Sequence, residues 1–219
     1  MLGCAYVVGF SNVQKLGGAA FINDPGQNPT ITSLAVGPRV VYDFGDGTDP
    51  AATYLEVDSL GSFDPPPSAA TFLTFGFMPT TATMDLSPTT PLTIVTAGQL
   101  LPPYEKPTLT RIYGGMMLRI SDVKVNGTPL AVGPRCRTTR PIDLELTGTD
   151  PDYTVQTGGP LYGSITIPPF TGCGADEDLD PLFTGSISGG GNLLKFTQGP
   201  LCDPVNEGCP GPVVPVPQG

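Results

Sequence analysis

The stretch Ser121-Asp122-Val123-Lys124-Val125-Asn126-Gly127-Thr128 shows the pattern that decides the fold of this chain. Apolar residues alternate with polar ones over a few positions, as they do in a half-buried strand. The run ends at Asn-Gly, a dipeptide that favours a tight hairpin turn. Similar short apolar runs, bounded by Gly, Pro, Asn or Asp, recur along the sequence, whereas helical periodicity is nearly absent. The sequence therefore predicts an all-β protein rich in turns.

The strand pattern occurs about fifteen times, which is more than the seven to nine strands of a simple immunoglobulin sandwich. We therefore predict an immunoglobulin-like or elaborated antiparallel β-sandwich, made of two packed β units. The predicted strands cover residues 4–10, 17–22, 30–35, 38–44, 53–58, 71–77, 81–86, 91–96, 108–113, 115–125, 141–147, 153–156, 161–167, 182–188 and 193–197.

Proline-rich segments suggest how these strands are divided. We predict an N-terminal β unit at residues 1–63, a connector at 64–68 with the sequence Asp-Pro-Pro-Pro-Ser, and a main β-sandwich at 69–202. Residues 203–219 form a proline-rich tail. A second break is expected at 148–151, where the sequence reads Gly-Thr-Asp-Pro.

The hexapeptide Leu-Ala-Val-Gly-Pro-Arg occurs twice, at residues 34–39 and 130–135. It marks either a duplicated structural unit or the same Gly-Pro turn used twice. Because the flanking sequences diverge, we favour the turn.

Composition limits the class of protein and its partners. The chain has 219 residues, of which 39% are hydrophobic and 14% charged, so it has apolar side chains to bury and should fold despite 29 Gly and 27 Pro. A formal net charge of -10 would repel nucleic acid and anionic membranes. No apolar run approaches the roughly 18 residues of a membrane span. We expect no nucleic-acid partner and no transmembrane segment.

The sequence contains no histidine. This excludes Ser/His/Asp and Cys/His catalytic triads and histidine-bound zinc. Glycoside hydrolysis by two carboxylates needs no histidine, so a carbohydrate-active enzyme remains the least favoured of three functional hypotheses. However, the chain also lacks tryptophan, the usual stacking surface for sugars. We expect a protein without enzymatic activity.

The five cysteines are Cys4, Cys136, Cys173, Cys202 and Cys209. Without Cys-x-x-Cys spacing they favour disulfides over a metal site, and disulfides favour an oxidising, extracellular compartment. The sequence leaves the pairing open. We favour Cys173 with Cys202 and Cys4 with Cys136, which leaves Cys209 as a free thiol. The rival pair Cys202–Cys209 closes a short loop and would stabilise less.

Two groups of carboxylates are candidate calcium sites. Asp176, Glu177, Asp178 and Asp180 lie within five residues, and Asp43, Asp46 and Asp49 follow one another at intervals of three. The group at Asp43, Asp46 and Asp49 does not have the spacing of an EF-hand loop, and we favour a structural turn there. For the group at 176–180 the alternative is a solvated acidic loop, and we favour it. We expect no other cofactor.

Arg135, Arg137 and Arg140 form the main cluster of positive charge in an acidic protein. They could bind a carboxylate or a neighbouring subunit. The alternative, which we favour, is that they pair with Asp143 and Glu145.

The run at residues 71–78 is too apolar for a strand with one solvent-exposed face, since its sequence is Thr-Phe-Leu-Thr-Phe-Gly-Phe-Met. It is either a central buried strand, which we favour, or part of a cleft that accepts lipid through Phe72, Phe75 and Phe77.

Two resemblances follow from longer motifs. Residues 41–48, Val-Tyr-Asp-Phe-Gly-Asp-Gly-Thr, resemble the Trp-Asp-Phe-Gly-Asp-Gly signature of PKD-type immunoglobulin-like domains, with tyrosine in place of tryptophan. This implies a strand that ends in a tight turn. The segments at 76–84, 121–130, 136–138 and 167–174 are similar to a group of uncharacterised secreted actinobacterial β-sandwich proteins. That resemblance implies export and disulfides, and it transfers no site residues.

Together these observations predict an exported, non-enzymatic component of the envelope, the surface or an assembly, located outside the cell or at its surface. Its expected partners are other copies of itself or other envelope proteins. The alternative is an extracellular carrier of a lipid or other apolar small molecule.

Overall fold

The computed structural model describes residues 2–27, 29–74 and 76–205, and most of them lie in β-strands. The strands of this part are β1 (Leu2–Val13), β2 (Gly18–Ile22), β3 (Ile31–Asp43), β4 (Tyr54–Ser62), β5 (Ser68–Thr74), β6 (Met78–Pro88), β7 (Leu92–Gly98), β8 (Leu109–Val125), β9 (Thr128–Pro129), β10 (Arg137–Thr138), β11 (Ile142–Thr149), β12 (Gly159–Ile167), β13 (Phe170–Thr171) and β14 (Gly189–Gln198). The described residues also contain helix α1 (Asp180–Ile187) and 3₁₀ turns at Gln14–Leu16 and Pro50–Ala52.

All these strands pair antiparallel, which confirms the predicted all-β class. The immunoglobulin-like sandwich stays a prediction. No helix of the described residues is long and apolar enough to cross a membrane.

The pairings close into two rings that share β1, β8, β11, β12 and β14. The first ring is completed by β3, β4 and β7, and the second by β2, β5 and β6. This is possible because β1 and β8 are long enough to pair with different strands along one edge. The first half of β1 pairs with β3 and its second half with β2. Likewise, β8 pairs first with β7 and then with β6.

Each ring encloses part of one apolar core. Ile94, Ile112 and Phe196 point into the first ring, and Ile22, Ile120 and Ile165 into the second. This follows from the period of two along a strand, which sends alternate side chains to the interior. Helix α1 contributes Ile187 to the second interior and so covers part of it.

The hydrogen bonds between strands cross the predicted domain boundary. β1 and β2, from the predicted N-terminal unit, pair with β14 and β5 of the predicted main unit. The division into units stays a prediction that can be tested on fragments of the chain.

Two predicted strands are wrong. Residues 182–188 were expected to be extended, but they belong to helix α1 and the residue that follows it. Leu179, Phe183 and Ile187 are spaced by four, and all three are buried on one side of this helix. Residues 153–156 form no strand, and Thr154 makes an isolated bridge to Gly158.

The predicted disulfide pairings are also wrong. Cys136 bonds to Cys173, with 4.1 Å between their Cα atoms. The reason is the pairing of the two-residue strands β10 and β13, which places Arg137 opposite Thr171 and brings the neighbouring cysteines together. These strands are too short to be recognised in the sequence.

Cys4 is a free thiol, contrary to its predicted pairing with Cys136. It lies opposite Cys202, and the backbones of these two residues exchange hydrogen bonds of 3.0 and 2.8 Å. Cys202 is itself disulfide-bonded, though not to Cys173. Cys209, the predicted free thiol, lies outside the described residues.

Candidate functional site

The acidic loop uses its carboxylates to hold the start of helix α1. Asp180 Oδ1 accepts a hydrogen bond from the Cys173 amide at 2.7 Å, and its Oδ2 accepts one from the Gly172 amide at 3.2 Å. Asp178 accepts from the amide of Asp180 at 3.0 Å. Asp176 and Glu177 are exposed. Within the described ranges, no three Asp, Glu or Cys residues come together as a metal site, so calcium binding, the less favoured alternative, gains no support at this loop.

The other candidate calcium ligands form local turns. Asp43, Asp46 and Asp49 each accept a hydrogen bond from the backbone amide two residues further on, at 2.8, 2.9 and 2.8 Å respectively. The hydrogen bond from the Thr48 hydroxyl, and to a lesser degree that from the Thr48 amide, lowers the pKa of Asp46. β3 ends at Asp43 just before these turns, which confirms the predicted strand and turn at this motif.

The three arginines of the predicted basic cluster are all exposed. Arg140 pairs with Asp143 at 3.2 Å, which confirms that part of the prediction. The predicted partner Glu145 makes no ion pair within the described part of the chain. Arg137 lies on β10 opposite Arg119, and Arg119 is neutralised by Asp85 at 2.8 Å.

Residues 71–74 of the apolar run lie in β5, and residues 76 and 77 lie in the turn before β6, so the run is not one buried central strand. β5 ends at Thr74, and the amides of Gly76 and Phe77 donate to the carbonyls of Leu73 and Thr74. Phe72 points into the second ring, whereas Phe77 is 72% exposed at the turn. Phe75 lies outside the described residues. The predicted lipid-accepting cleft is therefore not formed by Phe72 and Phe77 together.

An apolar cleft does occur elsewhere, at the open end of the first ring. We call it the end cleft. It has a volume of about 260 Å³. Leu55, Val57 and Ser59 of β4 form one wall, because alternate residues of a strand face the same side. The other lining residues are Gly3, Leu34, Thr96, Val155, Gln156 and Leu201.

Behind the end cleft lies a smaller space inside the first ring, which we call the inner cavity. It has a volume of about 40 Å³, and Leu34 and Leu201 line both spaces, so the two are neighbours. Thr32 is one of the few polar residues that line the inner cavity, and it is only 8% exposed. Its hydroxyl oxygen has no hydrogen-bond partner.

Both polar side-chain atoms of Gln198, the other polar residue of the inner cavity, make hydrogen bonds. Gln198 Oε1 accepts from the Tyr153 hydroxyl at 2.7 Å, and its Nε2 donates to the Val155 carbonyl at 2.8 Å. Burial raises the pKa of Tyr153 well above its usual range, so its hydroxyl stays protonated and remains a donor.

A second feature is a group of exposed apolar side chains on the outer face of the sheet, which we call the sheet-face cluster. It consists of Phe10, Phe21, Tyr162 and Leu193, exposed by 37%, 46%, 55% and 62% respectively. The strand register places Phe21 opposite Phe10, Phe10 opposite Lys195, and Lys195 opposite Tyr162. The Phe10 and Phe21 rings contact edge to face at 5.9 Å, and the Lys195 ammonium lies 5.8 Å from the centre of the Tyr162 ring.

Sequence reasoning missed both features, because their residues come from distant parts of the chain. The end cleft joins β1, β3, β4 and β7 to the segments around residues 155 and 201. A signal was present for the sheet-face cluster, since Phe10 and Phe21 are apolar residues at positions where a half-buried strand carries polar ones. Comparison of this chain with protein-family models, with curated proteins and with solved structures finds no match.

Proposed function

We propose that this protein is exported and works without catalysis, as a component of the envelope, the surface or an assembly. The Cys136–Cys173 disulfide supports export, because disulfides persist in oxidising compartments. The absence of histidine from the sequence supports a role other than catalysis.

The sheet-face cluster is the observation that carries the proposal. Apolar side chains scattered singly over a surface are normal, whereas a contiguous apolar group bordered by polar residues is typical of a binding surface. Here four large side chains lie on four adjacent strands, β12, β14, β1 and β2. The aromatic rings and the lysine between Phe10 and Tyr162 are residue types that protein contacts use. We therefore infer that this face binds a second copy of the chain or another envelope protein.

Sedimentation velocity of the full chain tests this inference. If the partner is a second copy of the chain, we expect the wild-type protein to self-associate as its concentration rises. If the partner is another envelope protein, we expect the wild-type protein to be retained on envelope material from its source. Leu193→Thr and Phe21→Thr should weaken the association at least tenfold, since both remove exposed apolar area while keeping good strand formers. Phe77→Thr removes an exposed phenylalanine outside the cluster and is the matched control. A protein that stays monomeric at high concentration and does not bind envelope material would contradict the proposal.

The end cleft favours a second candidate function, that of an extracellular carrier for a lipid or other apolar small molecule. It is concave and lined mainly by aliphatic side chains, as ligand sites are. Native mass spectrometry of unreduced protein from its natural source, followed by organic extraction, tests this function. A discrete bound mass that is removed by extraction is the expected result, and empty protein from every preparation would count against a carrier.

A further inference from the structure

We propose that the end cleft and the inner cavity together bind one small, neutral, apolar molecule that carries a hydroxyl or carbonyl group at one end. This inference rests on the carrier function and deepens it, because it assigns the site and the chemical class of the ligand.

The end cleft provides the contacts for the apolar body of the ligand. Leu55 and Val57 are half buried and face a space of about 260 Å³, just below the usual range of roughly 300–1,000 Å³ for ligand pockets. A ligand there would remove these side chains from water, which is favourable in proportion to the apolar area covered. The volume indicates a small molecule and not a complete phospholipid.

The inner cavity provides the contact for the polar end. Thr32 lies on β3 opposite Ala5 of β1, and both line this cavity. A buried hydroxyl without a partner is costly, and native structures rarely contain one. The Thr32 hydroxyl makes no hydrogen bond in the described structure, and the bonds of Gln198, the other polar residue that lines this cavity, go to Tyr153 and Val155. A ligand hydroxyl or carbonyl that enters from the end cleft, between Leu34 and Leu201, would complete the hydrogen bonding of Thr32.

The charges around the site indicate that the ligand is neutral. No charged side chain lines either the end cleft or the inner cavity within the described part of the chain. Glu56 and Asp58 alternate with Leu55 and Val57, so they lie on the opposite face of β4, where Glu56 pairs with Arg39 at 3.1 Å. A carboxylate or ammonium group would therefore lose its water in the cavity without gaining an ionic partner.

Calorimetric titration of the full chain with three probes of similar length tests this assignment: 1-hexanol, 1-chlorohexane and hexanoate. We expect 1-hexanol to bind most tightly and hexanoate most weakly. Thr32→Val keeps the shape of the side chain and removes a hydroxyl that bonds to nothing, so it should fold normally. It should weaken the binding of 1-hexanol roughly three- to tenfold, which corresponds to the loss of one hydrogen bond. It should change the affinity for 1-chlorohexane by less than about twofold.

Two further variants locate the site. Val57→Lys places a charge in the end cleft and should abolish binding of both neutral probes. Leu60→Lys places the same charge on the outer face of the same strand, and it should leave binding unchanged. Melting curves of all three variants show whether each one is folded.

These experiments distinguish failure of the polar-end assignment from failure of the carrier function. Suppose that both neutral probes bind equally, that Thr32→Val changes the affinity of neither probe, and that Val57→Lys abolishes the binding of both. In that case the assignment of the polar end is overturned and the carrier function stands. If neither probe binds the full chain, both are overturned. A photocrosslinker at position 57 that links to residues 206–219, or to a second chain, would also overturn the proposal, because the site would then have a different occupant.

Discussion

At the scale of single residues, Tyr153 shows how one buried polar group depends on another. Its side chain is 1% exposed, and its hydroxyl donates to Gln198 at 2.7 Å. Tyr153→Phe would leave the Gln198 carbonyl oxygen buried without this donor, so we expect a loss of about 1–3 kcal/mol in the free energy of unfolding. Urea unfolding measures this loss. Tyr104→Phe, at an exposed position, should keep a free energy of unfolding within about 0.5 kcal/mol of the wild-type value. Equal losses for the two substitutions would contradict the prediction.

Tyr153 also makes the stability of the folded protein depend on pH in the alkaline range. Burial raises the pKa of Tyr153 in the folded protein, whereas in the unfolded chain it titrates near its usual value of about 10. The stability associated with the protonated phenol is therefore fully present below about pH 10, and it is lost as the pH rises from there toward the folded pKa. We expect the wild type to lose more stability between pH 9 and pH 11 than Tyr153→Phe does. Identical losses in denaturant titrations at the two pH values would show that Tyr153 is not the responsible group.

At the scale of elements, the start of helix α1 depends on the Asp180 carboxylate, which accepts hydrogen bonds from two amides of the loop after β13. Asp180→Ala removes both acceptors, and we expect a loss of about 1–2 kcal/mol in stability. Asp180→Asn keeps one acceptor oxygen and should lose less. Asp176→Ala, at an exposed position in the same loop, is the control. Equal melting temperatures for the Asp180→Ala and Asp176→Ala variants would contradict this function of Asp180.

The disulfide between Cys136 and Cys173 connects the short strands β10 and β13. It closes a loop with a sequence separation of 37 residues, for which the loss of entropy in the unfolded chain corresponds to about 4 kcal/mol of stability. Replacing both cysteines by serine should therefore lower the stability by about 2–4 kcal/mol, whereas Cys4→Ser should have a much smaller effect because Cys4 is free. Peptide mapping without reduction should recover Cys136 linked to Cys173. A different linkage would contradict the structure.

The elements also show what the sequence could and could not predict. The alternation along β8 predicts strands at residues 108–113 and 115–125, because the period of two is a local property, but it does not predict that they join into the single strand Leu109–Val125. The hexapeptide at 34–39 lies within β3, while its copy at 130–135 lies outside any strand, so its conformation is set by tertiary contacts. Helix α1 was missed because eight residues with a glycine and a proline give little periodicity. The disulfide and the end cleft depend on which strands meet, and no local pattern contains that information.

At the scale of the whole molecule, the two rings depend on strands from both parts of the predicted division. β1 lies between β14 on one edge and β2 and β3 on the other, and Leu194 and Phe196 of β14 belong to the same core as Ile22 and Phe63. Separated, each part would expose core side chains and the unpaired edges of strands that the other part covers.

We therefore expect that residues 1–63 and 69–205, expressed separately, do not unfold cooperatively. The reason is that removing residues 1–63 opens both rings at β1 and leaves β14 and β5 with unpaired edges. Thermal unfolding followed by circular dichroism measures this, with the full chain as the reference. Mixing the fragments should restore a cooperative transition if the pairing of β1 with β14 is sufficient to reassemble the core. If residues 69–205 alone unfold in one sharp transition close to that of the full chain, the main unit is an independent domain, and the shared strands contribute little to its stability.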